Sequence, residues 1–123
     1  MSIEISLKEA MTIQGAVGVC LVDYDSGMML GSLGGADAGL DLEVAAAGNT
    51  EVVRAKQNTM KALGLTERIE DILITLDSQY HLIRLITSPN GAGLFLYLAL
   101  DKSKSNLAMA RRQLQTIEQG ITI

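Results

Sequence analysis

The sequence contains one cysteine and one histidine, Cys20 and His81, so any thiol nucleophile with an imidazole base would have to be built from this pair. Cys20 lies inside the uninterrupted apolar run AVGVCLV, where burial raises a thiol's pKa and removes the reactive thiolate, which reads as inert core. His81 opens a strand-like run beside Tyr80 and is expected to reach solvent or a neighbour. One Cys and one His cannot fill a tetrahedral zinc site. Asp23, Asp25 and Asp37 fall in turn segments, where carboxylates are usually solvated, and three of them fall short of a hard cation's ligand count. Glu70 and Asp71 are adjacent, so on a strand they point to opposite faces and cannot act as a carboxylate pair.

Phosphate chemistry fares no better. Gly15-Ala16-Val17-Gly18 leads into a strand, whereas a dinucleotide loop follows a strand and opens a helix, and no G-x-x-x-x-G-K-S/T occurs. Gly31, Gly34, Gly35 and Gly39 do lie between a strand and a helix, the setting of a backbone anion nest. No Lys or Arg lies in or beside that stretch, and Asp37 and Asp41 would repel phosphate, so it reads as a flexible surface loop. An arginine finger must reach from a mobile segment into another protein's active site. Arg54 is placed mid-helix, Arg84 mid-strand, and Arg111 and Arg112 on the last helix; only Arg68 is near a loop. These residues describe a protein that is not an enzyme and needs no cofactor or metal.

Composition bounds what remains. A chain of 123 residues is expected to form a single domain spanning 1–123, with a core large enough to need no disulfide or metal staple. Hydrophobic residues at 48% and charged residues at 20% are ordinary for a globular protein. The net charge of -4 and the pI near 4.8 argue against nucleic acid or an anionic membrane surface as partner. The start MSIEISLKEAM lacks a basic segment followed by an apolar one, and no apolar run is long enough to span a bilayer. With a single cysteine, the expected location is the reducing cytoplasm.

Ile3, Leu7, Ala10 and Met11 recur at helical spacing, with Ser2 able to cap a helix over 2–14. Ala16 to Val22 is apolar at both parities, the mark of a strand covered on both faces. Asp25-Ser26-Gly27 is a turn signal leading to a weaker strand, MMLGSL. Asp41 can cap the longest helix, Leu42 to Leu63, which Gly64 stops. Arg68 to Leu76 alternates, with Ile72, Ile74 and Leu76 on one face and Asp71, Leu73 and Thr75 on the other, so this strand is half buried. YHLIRLIT and GLFLYLAL follow as two more strands around the turn at Pro89, and Leu107, Ala110, Leu114, Ile117 and Ile121 define a C-terminal helix.

The order is α-β-β-α-β-β-β-α. Because two strands are apolar on both sides, helices must cover both faces of the sheet. The fold class is α/β of the α+β type: a three-layer sandwich around a five-stranded, mainly antiparallel sheet. The two strongest strands, Ala16 to Val22 and Gly93 to Leu100, should be neighbours in the middle, and Arg68 to Leu76 should lie at an edge. On a helical wheel the long helix carries two apolar stripes. Leu42, Ala46, Val53 and Met60 form one, flanked by Ala45, Val52 and Leu63; Val44, Gly48, Ala55 and Ala62 form a second of mostly small residues; Glu43, Thr50, Arg54 and Lys61 make the wet face. A helix seated on one sheet needs one stripe, so this helix should touch two things, and which stripe meets the sheet is open at this point.

That order, with GAVGVCLVDYDSGMML at its head and then EDILITLDSQYHLIRLI and GLFLYLALDKSKSNLAMARRQL, resembles the roadblock family of dynein light-chain and GTPase-regulator proteins, in its bacterial stand-alone, gliding-motility-like form. The resemblance covers nearly the whole chain. It implies a homodimer in which the long helices pair and the half-buried edge strands meet, so that two sheets become one. The interface residues would be Val44, Gly48, Val52, Ala55, Ala62, Leu73 and Thr75. It also implies a non-catalytic platform whose partner is a small Ras-like GTPase or a protein associated with a sensor kinase; with no arginine placed as a finger, any activation of a GTPase is expected to be indirect, by ordering its switch loops. The alternative is a small-molecule sensor of PAS-like type with a pocket between sheet and helix, which would need convergent polar groups where the inner positions are aliphatic.

Overall fold

The computed structural model describes residues 1–123. The elements are α1 (Ile3–Met11), β1 (Ala16–Asp23), β2 (Met28–Gly34), α2 (Leu42–Ala62), β3 (Asp71–Thr75), β4 (Gln79–Leu85), β5 (Leu94–Asp101) and α3 (Leu107–Gln119), in the expected order. The sheet runs β2-β1-β5-β4-β3 with every neighbouring pair antiparallel. The two doubly apolar strands, β1 and β5, are adjacent at its centre, and the half-polar β3 is an edge.

Period-two alternation sorts the side chains of these strands into two layers. Val19 and Leu21 of β1 and Leu96, Leu98 and Leu100 of β5 join Leu7, Ala10, Ala110, Leu114 and Ile117, so α1 and α3 share one face. Cys20, Val22, Phe95, Tyr97 and Ala99 join Leu42, Ala46 and Val53, so α2 covers the other. Each fully buried aliphatic side chain contributes roughly 1.5–3 kcal/mol, which makes these two clusters the main source of stability.

Caps set the helix starts as expected. Ser2 Oγ accepts from Ile5 N at 3.2 Å, Asp41 Oδ1 from Glu43 N and Val44 N at 3.0 and 3.2 Å, and Asn106 Oδ1 from Met109 N at 3.1 Å. The α3 end of its layer is tied down by a buried network. Glu118, fully buried, accepts from Arg84 Nε at 3.1 Å with one oxygen and from Thr87 N and Oγ1 at 2.9 and 2.7 Å with the other.

Three expectations need correction. The glycine-rich stretch is no free loop: β2 continues through Gly34, and Ala36–Ala38 form a short 3-10 turn. Gly31 and Gly34 stand where α1 comes close; a Cβ on Gly31 would lie 2.9 Å from Leu7 Cδ1. The edge strand is shorter than expected, Asp71–Thr75 in place of 68–76. Thr50 belongs to the sheet side of α2 and not to its wet face: it is 3% exposed, and its hydroxyl is satisfied by Ala46 O at 2.7 Å, so its methyl can pack inward.

Candidate interaction surface

Leu42, Ala46, Thr50 and Val53 are the buried residues of α2, so the larger stripe meets the sheet. The small stripe therefore points away from the protein. Val44 is 67% exposed, Ala55 and Ala62 are exposed, and Val52, a flank of the larger stripe, is turned out beside them at 37%. A Cβ on Gly48 would meet nothing within 4 Å. Glu51 borders this stripe and Glu43, Arg54 and Lys61 lie farther to the same side, leaving Gly48 and Ala55 at its middle without a charge among them. Solvent alone gives no reason for alanine, glycine and valine along the outer face of a helix this long.

Beside α2 the same sheet face is incompletely covered. α2 packs on β1 and β2, and the β3–β4 half carries Ile72, Ile74, His81 and Leu85, all half buried. Leu76, just past β3, is 43% exposed. β3 has no strand on its outer side, so a row of backbone donors and acceptors is free there. The strand is held rigidly from the other face: Arg111 Nε and Nη2 donate to Asp71 at 2.9 and 2.8 Å, a two-pronged pairing that also holds the Arg111 pKa up.

The seven residues expected at an interface do not form one patch. Val44, Gly48, Val52, Ala55 and Ala62 line the outer side of α2. Leu73 packs against the α1/α3 core, and Thr75 shares its parity, so both face away from α2. The side chains of β3 that accompany the helix stripe are Ile72 and Ile74. Their alternation was visible in the sequence, but choosing their parity required knowing which layer holds α2.

The remaining polar groups are occupied in structural roles. His81 Nδ1 meets Tyr97 Oη at 3.1 Å and its Nε2 meets Gln79 Oε1 at 2.7 Å. An amide oxygen can only accept, so Nε2 carries the proton and the tyrosine hydroxyl donates to Nδ1. Burial lowers the His81 pKa, and burial pushes those of Cys20 and Tyr97 up to about 12. Cys20 on β1 and His81 on β4 are separated by β5, so a thiol held protonated has no adjacent base, and the imidazole has both nitrogens engaged elsewhere. Asp23 Oδ1 caps its own turn by accepting from Asp25 N at 2.9 Å, and no three His, Cys, Asp or Glu side chains gather as metal ligands. Of the arginines, Arg84 is buried against Glu118 and Arg111 is paired with Asp71, while Arg54, Arg68 and Arg112 are exposed. No helix is long and apolar enough to cross a membrane.

This architecture recurs in solved structures. The Roadblock/LC7 domain from Streptomyces avermitilis matches with a TM-score of 0.78 at 13% identity, over 97% of this chain and 93% of that one. MglB from Myxococcus xanthus matches at 0.73 and 19% identity, over 93% of this chain and 77% of that one. An MglB with a tetrameric arrangement matches at 0.68 and 18% identity, over 94% and 87%. The protein has the roadblock fold. No family model and no curated protein matches the chain. The roadblock fold is the expectation formed from the order of elements, and the PAS-like alternative finds no support in it.

Proposed function

We propose that residues 1–123 act as one non-catalytic, cytoplasmic regulatory module that works as a homodimer and binds a small Ras-like GTPase or a sensor-kinase-associated protein. The observation that carries this reading is the outward stripe of α2, uncharged along its middle and next to an uncovered half-sheet that ends in a free strand edge. A second copy satisfies all three features at once. Its helix covers Val44, Val52, Ala55 and Ala62, and its edge strand pairs with β3, leaving Leu73 and Thr75 at the seam through their backbone. Small residues permit the close helix approach that such a seam needs. Covering Val44, Val52 and Leu63 on both protomers at roughly 1 kcal/mol for each exposed part, together with strand pairing, is comparable with the lower end of association costs of about 4–15 kcal/mol. The dimer is therefore stable only with a close fit along the whole stripe.

The likeness to MglB supports a GTPase as partner, and the tetrameric MglB supports self-association as a property of this fold. Sedimentation of the wild-type chain should give a dimer, and Ala55→Glu, which buries a carboxylate at the helix crossing, should give a folded monomer. A wild-type monomer at high concentration, or a variant dimer unchanged in stability, would remove α2 from the interface. For the partner, immobilised wild-type protein should retain a Ras-like GTPase whose binding differs between a GTP analogue and GDP; retention of none in either state would remove the GTPase.

A further inference from the structure

At the end of the sheet where β4 runs past its edge partner, a cleft of about 530 Å3 opens between the chain entering β3 and the ends of β4 and α3. Pairing of β3 with β4 begins at Asp71↔Arg84, and no backbone hydrogen bond joins Glu70 to Leu85. The cleft thus takes the place that a longer β3 would have filled. Its volume lies within the range of about 300–1,000 Å3 typical of small-ligand sites. Met60, Leu65, Ile69, Leu85 and Pro89 give it apolar wall.

Arg84 also lines this cleft, although the residue is only 6% exposed. Its Nε is fixed on Glu118 Oε1, and neither of its Nη groups donates to any protein atom. Ser6 Oγ is the one fully buried side-chain polar atom without a partner, so the Nη groups of Arg84 are not fully sealed, and the cleft is the cavity that this residue lines. Glu118 cannot turn to meet them, because its second oxygen is held by Thr87 N and Oγ1. The result is a guanidinium locked on one side and offering a preformed pair of donors on the other, the geometry that matches a carboxylate.

We propose that this cleft binds a small organic monocarboxylate across the uncovered edge of β4, its carboxylate on the two Nη groups of Arg84 on the α3 side and its apolar body against Pro89 and, past that edge, Met60 and Leu85 on the α2 side. Charge selects the class. Lys61, Arg68 and Arg84 are balanced by Glu67 and Glu70 in the walls and by Glu118 behind, so the site has no surplus positive field for a phosphate dianion. A single charge that needs a fork of donors in a partly dry setting suits it better. This site lies apart from the outer stripe of α2 and does not depend on dimerisation.

The test titrates 15N-labelled wild-type protein with 3-phenylpropionate, with the isosteric 3-phenylpropionamide and with inorganic phosphate, following the Arg84 side-chain NMR signals. The carboxylate should shift them saturably and bind at least about tenfold more tightly than the amide, as charge-assisted pairing requires. Arg84→Met combined with Glu118→Leu, which removes the fork without stranding a buried charge, should abolish that preference. If the double variant does not fold, the wild-type comparison of acid with amide decides alone. No saturable shift at Arg84, equal affinity for the amide, tighter binding of phosphate, or a preference that survives in the folded double variant would overturn the proposal.

Discussion

The two faces of the sheet are finished to different degrees. On the α1/α3 face, 15 buried residues form one cluster, and α3 is fastened by the Arg84–Glu118–Thr87 network and by Arg111 on Asp71. On the α2 face the cluster has 9 buried residues, and the single side-chain hydrogen bond from α2 to the sheet is Gln57 Nε2 to Tyr24 Oη at 3.4 Å. The first layer is closed by the chain itself. In the second, a helix with apolar groups on both sides rests on half of a sheet face. An arrangement of that kind is stable enough to fold and still leaves apolar surface exposed.

The largest expected effect tests whether the closed face depends on its buried charges. Glu118→Ala leaves the Arg84 guanidinium without its counter-charge and should cost about 3–5 kcal/mol in urea unfolding. Arg84→Met with Glu118→Leu should recover most of that loss, because a well-packed apolar pair can replace a buried ion pair. On the open face, Gln57→Ala should cost less than about 1 kcal/mol, the contribution of one neutral and rather long hydrogen bond. Equal losses for Glu118→Ala and Gln57→Ala would erase the distinction between the faces.

A second pair of substitutions separates the two sides of α2. Ala46→Leu forces a larger side chain between helix and sheet and should cost about 1–3 kcal/mol. Ala55→Leu, on the outer stripe, should change the stability of the isolated subunit by no more than about 0.5 kcal/mol. Below Ala46→Leu in size, Asp71→Asn removes the ion pair that steadies the edge strand. With Arg111 47% exposed at its side chain, solvent screening limits the loss to about 1 kcal/mol at most. Denaturant midpoints measured under conditions of fixed oligomeric state would read all three changes.

Much of this contrast could be read in the residues. AVGVCLV and LFLYLAL are apolar at both parities, and that alone placed them at the centre with helices on both sides. The two stripes of α2 were equally plain. The strand was legible through Leu33, and the glycine that ends it was misleading, because a strand that lies close under a helix sheds its side chains and so loses the alternation that marks a strand; Gly34 beside Met11 is the case in point. Thr50 was misplaced because a hydroxyl that can bond its own helix has no need of water. The Arg84–Glu118 pair had no local signature at all, since its partners stand 34 residues apart and meet only through the packing of α3. The cleft beside it was hidden for the same reason.

The smallest expected effect uses pH to ask how open the uncovered half of the α2 face is. Burial depresses the folded-state pKa of His81 below its ordinary 6.5, because a charged imidazolium would lose solvation and the bond from Tyr97 to Nδ1. The unfolded chain therefore takes up its proton first as pH falls through 6.5, and the contribution of neutral His81 to stability, full above that value, is lost between 6.5 and the lower folded pKa. His81 is the one histidine of the chain, so a modest loss between pH 7.5 and 5.5 should belong largely to this residue. His81→Gln should flatten the denaturation midpoint over that interval, at some cost in stability at pH 7.5. An unchanged slope would mean that the imidazole is as well solvated as in the unfolded chain, and that the shelf beside α2 is more open to water than its half-buried side chains imply. A flattened slope would show that this part of the face already holds the imidazole away from water in the isolated subunit.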